Sequence, residues 1–279
     1  MAGASTGIRD AASVIALRAP ARGRGAEPEV LLVQRRSKAS FMAGAWVFPG
    51  GAVDAHEGDP RLAAVRELFE EVGILLARPV DERDGASAPA LAQLRRRVLD
   101  GEPFEDVLAA RGLRPDLDSL HYFSQWITPS IEKKRFAATF YVASAPASQA
   151  PDTAGGELAG ARWLAPSEAL DAAAELKLPP PQIRTLRDLR VLSGRGGMDE
   201  ILASCAERAK HPFPILPRAA PAGDGFALLL PWDPEYDGLG QGESRPMPAN
   251  HPLAEGPSRF ILEDATWKLV DAPRLPSEA

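Results

Sequence analysis

Between residues 60 and 76 the apolar positions recur every three or four residues, at Leu62, Val65, Leu68, Phe69 and Val72. At about 100° per residue these fall on one side of a helix. Asp59 is a good N-cap, Pro60 suits the first helical position, and Gly73 lies where helices commonly end. The opposite sector collects Glu67, Glu70, Glu71 and Ile74. Carboxylates three and four residues apart repel, so helix stability does not account for them. Two readings stay open: a solvated acidic face paired with Arg66, or the ligand set for a hard divalent cation, Mg²⁺ or Mn²⁺.

The same patterning places strands at residues 12–17 and 30–34, joined by a Pro-, Gly- and Arg-rich loop. After the acidic helix, residues 78–88 read as a polar loop. Two amphipathic helical segments follow at 89–99 and 103–111, burying Leu91, Leu94, Val98, Phe104, Val107 and Leu108. This helical insertion, about 86–120, is scaffold or a lid. Residues 121–143 contain two strand-like runs, and 161–164 form a short strand before a helix start at Pro166. Pro179, Pro180 and Pro181 make a rigid lead-in to a helix ending near residue 192, and a second helix covers 198–209. Beyond residue 212 proline and turn residues increase. There, 214–218 pairs with 226–230 across an Asp224-Gly225 turn, and 259–263 pairs with 266–270. Helices alternating with strands define an α/β protein. Its main domain is expected at 10–210, with an accessory β-rich extension at 211–279 that packs on that domain or on the partner of a homodimer.

Composition adds limits. The 279 residues are 45% hydrophobic and 25% charged, enough for an ordinary core, and the formal charge is −6. No basic patch for nucleic acid or an anionic membrane is expected. Cys205 is the single cysteine, so no internal disulfide forms, and the four histidines lack metal-ligand spacing. No apolar run approaches the roughly 20 residues of a membrane helix, and no signal-peptide pattern opens the chain. The expected location is cytoplasmic.

The residues around the acidic helix narrow its chemistry. Arg66-Glu67-Leu68-Phe69-Glu70-Glu71-Val72-Gly73-Ile74 resembles the second half of the Nudix box, R-E-U-x-E-E-x-G-U with U apolar. Gly51 and Glu57 resemble its first half. Eight residues separate Glu57 from Arg66 where the family pattern has seven, with Gly58 as the extra one. Upstream, LLVQR and FMAGAWVFPGG look like the signature of the coenzyme A diphosphatase branch. Trp126-Ile127-Thr128-Pro129 with Arg135-Phe136, and the proline lead-in, resemble an animal organellar member of that branch.

The resemblance implies the Nudix α/β/α sandwich with a mixed sheet, and hydrolysis of a diphosphate linkage with Mg²⁺ or Mn²⁺. Glu70 and Glu71 are then principal metal ligands, Glu67 ligates metal or activates water, and Arg66 orients the carboxylates. The backbone at Gly51 completes the shell, and Glu157 is placed for a further loop ligand or base. Arg35 and Arg135 are candidates to hold substrate phosphate, the alternative being strand-end residues in solvent. The implied substrate is a small-molecule nucleoside diphosphate derivative, foremost coenzyme A or an acyl derivative, cut toward 3′,5′-ADP and phosphopantetheine-type products. ADP-ribose, NADH and dinucleoside polyphosphates remain alternatives, as does a catalytically silent ligand-binding module.

Overall fold

The first two apolar runs extend at both ends into β1 (Arg9–Arg18) and β2 (Glu29–Arg35). Their middles are nearly continuous in hydrophobicity because both faces are covered. Ala12, Val14, Ala16, Leu31 and Val33 enter one core, while Ile15, Leu17, Val30 and Leu32 enter the core on the other side. The computed structural model describes residues 7–20, 27–37, 42–81, 88–154, 158–222, 225–239 and 245–272.

Two short strands, β3 (Trp46–Val47) and β4 (Gly50–Ala52), lead into α1 (Pro60–Val72). Next come β5 (Ala77–Pro79), α2 (Ala88–Leu99), α3 (Phe104–Ala109), β6 (Leu113–Pro115), β7 (His121–Ile127) and β8 (Phe136–Ser144). They are followed by β9 (Leu158–Leu164), α4 (Pro166–Asp171) and α5 (Pro180–Lys210). The chain closes with β10 (Pro214–Ile215), β11 (Arg218–Ala222), β12 (Gly225–Leu229), β13 (Arg259–Glu263) and β14 (Thr266–Val270).

The described strands form an eight-stranded mixed sheet in the order β10-β7-β8-β1-β2-β3, with β4 also pairing β1 and β9 pairing β2. β1 runs parallel to β8 and antiparallel to β2 and β4. Helices α1, α2 and α3 bury their apolar sides against one face of this sheet, and α4 and α5 cover the other. The result is the expected α/β/α sandwich, with an additional C-terminal antiparallel sheet ordered β11-β12-β13-β14.

Several expectations are corrected. The stretch read as a polar loop after α1 begins with β5, which pairs β6 across the helical insertion. Such three-residue strands are too short to show an alternation. Pro214-Ile215 does not join the C-terminal hairpin: it extends the main sheet parallel to β7, with Ile215 buried. β12 pairs instead with β11, one turn later in the chain. The turn itself, including Asp224, lies outside the described residues. The 259–263 and 266–270 hairpin forms in the expected register. The helix expected after the proline lead-in, ending near residue 192, and the one expected at 198–209 run end to end within α5, interrupted only by non-helical backbone at Gly196 and Gly197.

The C-terminal sheet is joined to the sandwich by a shared core. Leu228, Leu230, Met247, Leu253 and Phe260 belong to the same apolar cluster as Phe123, Leu186 and Leu189. A buried ionic network reinforces the joint: Asp188 accepts from Arg184 at 2.9 Å and from Arg208 at 3.1 Å. Arg184 also donates to the carbonyls of Leu253, Glu255 and Pro257 at 2.9–3.0 Å. One carboxylate thus offsets two buried guanidinium groups. Removing it in Asp188→Ala leaves both uncompensated and should cost about 3–5 kcal/mol. A urea unfolding midpoint equal to that of the unaltered protein would contradict this.

Candidate active site

The acidic helix starts and stops for local reasons. The Asp59 side chain accepts from the Arg61 N–H at 2.9 Å, and Pro60 occupies the first turn where no amide partner is needed. Gly73 ends the helix with φ 71°, a left-handed cap whose N–H donates to the Phe69 carbonyl at 2.9 Å. Ala63, Ala64, Val65, Leu68, Phe69 and Val72 are buried against the sheet. Ile74 was expected beside the carboxylates. Because the helix stops one residue earlier, it leaves that face and is fully buried in the core.

Glu67, Glu70 and Glu71 do project from the side of α1 facing β4. Arg66 sits among them with its guanidinium spread over several acceptors. Its Nε and Nη2 donate to the two oxygens of Glu57 at 2.8 and 3.1 Å, Nη1 donates to Glu67 at 2.9 Å, and Nη1 reaches Glu70 at 3.4 Å. Nη2 also reaches the Ala52 carbonyl at 3.2 Å. Glu71 accepts from the Gly50 N–H at 2.9 Å. The loop before α1 absorbs the extra residue at Gly58, for the Glu57 side chain is almost completely buried on Arg66 and accepts from the Asp54 N–H.

Gly51 is constrained by close approach. A Cβ there would stand 2.4 Å from the Glu67 carboxylate. Only glycine lets that carboxylate press on β4.

Charge is unevenly balanced in this cluster. Burial, reinforced by Glu70 and Glu57 and opposed by Arg66, pushes the Glu67 carboxyl up to about 6. Burial also raises Glu70, with Arg66 opposing. Burial works against the Glu57 carboxylate too, yet its hydrogen bonds to Arg66 and the Asp54 N–H leave it below the ordinary value.

Arg66 and Gly50 hold these carboxylates on separate partners, and among the described residues no three His, Cys, Asp or Glu side chains converge as a formed metal cage. The donor set nevertheless fits a hard divalent cation in its chemistry: the groups are all carboxylate oxygens, and burial raises the carboxyls of Glu67 and Glu70.

Arg95 carries no sequence signal beyond lying in an amphipathic helix. It reaches from α2 to the last turn of α1, donating to the Glu70 carbonyl at 2.9 and 3.1 Å and to the Glu71 carbonyl at 3.0 Å. These carbonyls lack helical partners, so the insertion caps the helix that carries the carboxylates.

A cleft of about 870 Å³ opens on the sheet face away from α1, and Gly50, Gly51 and Ala52 form its edge. Arg35 lines it, together with Arg9, Lys134 and Lys177. Trp126 is buried and also contributes to the wall. Arg135 is placed differently: its Nε donates to the Thr128 carbonyl at 3.0 Å, tying β8 to the end of β7, and it is not among the cleft-lining residues. Glu157 lies outside the described residues.

Fold and site together define an α/β/α sandwich with a carboxylate-bearing helix pressed on its sheet, and comparison with known proteins specifies the family. A model of the NUDIX domain matches residues 7–106, and one of the NUDT19 Nudix domain matches residues 57–189. The chain is 30% identical to the acyl-coenzyme A diphosphatase NUDT19 of Homo sapiens, covering 74% of this chain and 72% of that one. It is 29% identical to the acyl-coenzyme A diphosphatase NUDT19 of Gallus gallus, covering 82% and 79%. The crystal structure of a NUDIX hydrolase from Alicyclobacillus acidocaldarius is similar at a TM-score of 0.57 and 28% identity, covering 67% of this chain and 92% of that one. The chain therefore belongs to the Nudix hydrolases, enzymes acting on phosphorus-containing anhydrides, and is homologous to their acyl-coenzyme A diphosphatase members.

The raised Glu67 carboxyl has a measurable consequence without metal. Below about pH 4.5 the group is protonated in folded and unfolded chains alike. Between there and about 6 the folded chain alone holds the proton, so stability falls as pH rises. In chelator-treated protein, Glu67→Gln should gain up to roughly 2 kcal/mol at pH 7.5 and nothing at pH 4. Thermal unfolding at the two pH values checks this; an equal effect at both would be inconsistent with it.

Proposed function

We propose that the chain is a divalent-metal-dependent diphosphatase acting on coenzyme A or its acyl derivatives. The reading rests chiefly on one juxtaposition: the α1 carboxylates press against β4 from one side, and β4 edges a large, partly cationic cleft on the other. The relatives named above as acyl-coenzyme A diphosphatases supply the substrate class. Although the chain is net acidic, the cleft carries Arg9, Arg35, Lys134 and Lys177 against Glu132 and Asp264. This local field suits an anionic diphosphate.

In this proposal Glu70 and Glu71 hold Mg²⁺ or Mn²⁺, with Glu67 and the Gly51 backbone completing the set and Glu157 as a further loop ligand. The bound cation would neutralise charge on the phosphoryl oxygens. Arg66 keeps the carboxylates in place and offsets part of their repulsion. Arg35 holds a phosphate oxygen from the cleft side. A water oxygen bonds to phosphorus, the bridging P–O bond breaks, and the water proton passes to a carboxylate, Glu67 in this reading if it is not itself a ligand. Two phosphate-terminated fragments leave. Arg135, engaged with Thr128, orients the β7–β8 connection at the cleft mouth in this scheme.

Glu70→Gln removes one anionic ligand from the exposed side of a packed helix. The expected outcome is a folded protein whose turnover falls at least about a thousandfold in Mg²⁺. Turnover at the unaltered level would exclude Glu70 from the site. Substrate class is tested by product release from coenzyme A, decanoyl-coenzyme A, ADP-ribose, NADH and diadenosine polyphosphate, each with Mg²⁺ and Mn²⁺. Coenzyme A and its thioester should have the highest kcat/KM; preference for ADP-ribose or NADH would overturn this assignment while leaving the family chemistry intact.

A further inference from the structure

We infer that the C-terminal sheet is a specificity-determining wall of the substrate cleft, and that its β13–β14 hairpin receives an apolar arm of the substrate, an acyl chain, distant from the diphosphate. The inference rests on the coenzyme A reading above and extends it to residues outside the Nudix box.

The cleft lining is chemically mixed. It includes Arg9 and Arg35 from the main sheet, and Phe226 and Leu228 of β12 and Trp267 of β14 from the C-terminal sheet. Trp267 stands edge-on to Phe226 at 5.6 Å and to Phe260 at 6.4 Å. Phe260 is fully buried, so the indole is backed by fixed core and presents a firm apolar surface. The buried Arg184, bonded to three carbonyls just before β13, holds this unit on α5. Met42 and Ile131 keep large apolar surfaces exposed at 37% and 53%, and both also line the cleft. Exposed apolar groups facing one cavity are what an apolar ligand segment would cover.

Backbone conformation points to the same place. Among the described residues four non-glycine positions take positive φ: Met42 at 50°, Lys177 at 49°, Asp264 at 48° and Ala265 at 59°. All four line this cleft. Asp264 and Ala265 are the two turn residues of the β13–β14 hairpin, where the mirror-image turn matches strand twist but favours asparagine and glycine. Left-handed backbone outside glycine persists only where surrounding structure demands it, and it concentrates at binding sites. Here it converges from three separate parts of the chain.

The test compares decanoyl-coenzyme A with free coenzyme A in the full-length enzyme, using Trp267→Ala to remove the wall and Ala174→Trp to fill the cleft from the opposite, exposed side. Each buried methylene is worth roughly fourfold in binding. The ratio of kcat/KM for the thioester over free coenzyme A should therefore fall at least about tenfold in both variants. If Trp267→Ala fails to fold, Ala174→Trp alone decides. An unchanged ratio in a folded Ala174→Trp protein overturns the inference even when both substrates are hydrolysed normally. Absence of turnover of either compound by the unaltered enzyme overturns the parent reading, and the wall assignment with it.

Discussion

One guanidinium surrounded by carboxylates governs the chemistry of this protein. Arg66 contacts Glu57, Glu67 and Glu70 together, while the Gly50 N–H holds Glu71. A single positive charge cannot offset several neighbouring negative ones, and burial removes the water that would otherwise do so. The carboxyl of Glu67 responds by resisting ionisation. A fold selected only for stability has no reason to maintain that arrangement. The proposed metal-dependent chemistry gives that arrangement a purpose.

Three neighbours keep the arrangement in place. The apolar side of α1 is locked onto the sheet. β4 lies close enough that any side chain at Gly51 would collide with Glu67. Arg95 reaches from the helical insertion to cap the carbonyls of Glu70 and Glu71. The insertion thus helps hold α1 at its C-terminal end, which gives a physical content to the scaffold reading of its amphipathic pattern.

The C-terminal extension has a comparable dual character. Shared core residues and the Arg184–Asp188–Arg208 network fix it to α5, so it is built into the sandwich. In doing so it places Phe226, Leu228 and Trp267 among the residues lining a cleft that Gly50, Gly51 and Ala52 also line.

Local chemistry in the sequence determined α1, its Asp59 cap, its Gly73 stop, the two buried strands and the β13–β14 hairpin, because each depends on contacts within a few residues. The same held for the trio Glu67, Glu70 and Glu71, whose spacing on one helical face is a property of the helix alone. Tertiary structure decided the rest. It sent Ile74 into the core, gave Ile215 to β7, matched β5 with β6, directed Arg135 to Thr128 and Arg35 to the cleft, and brought Arg95 and Trp267 toward the site. Those outcomes depend on which groups far apart in the chain meet across the fold, and no local periodicity carries that information.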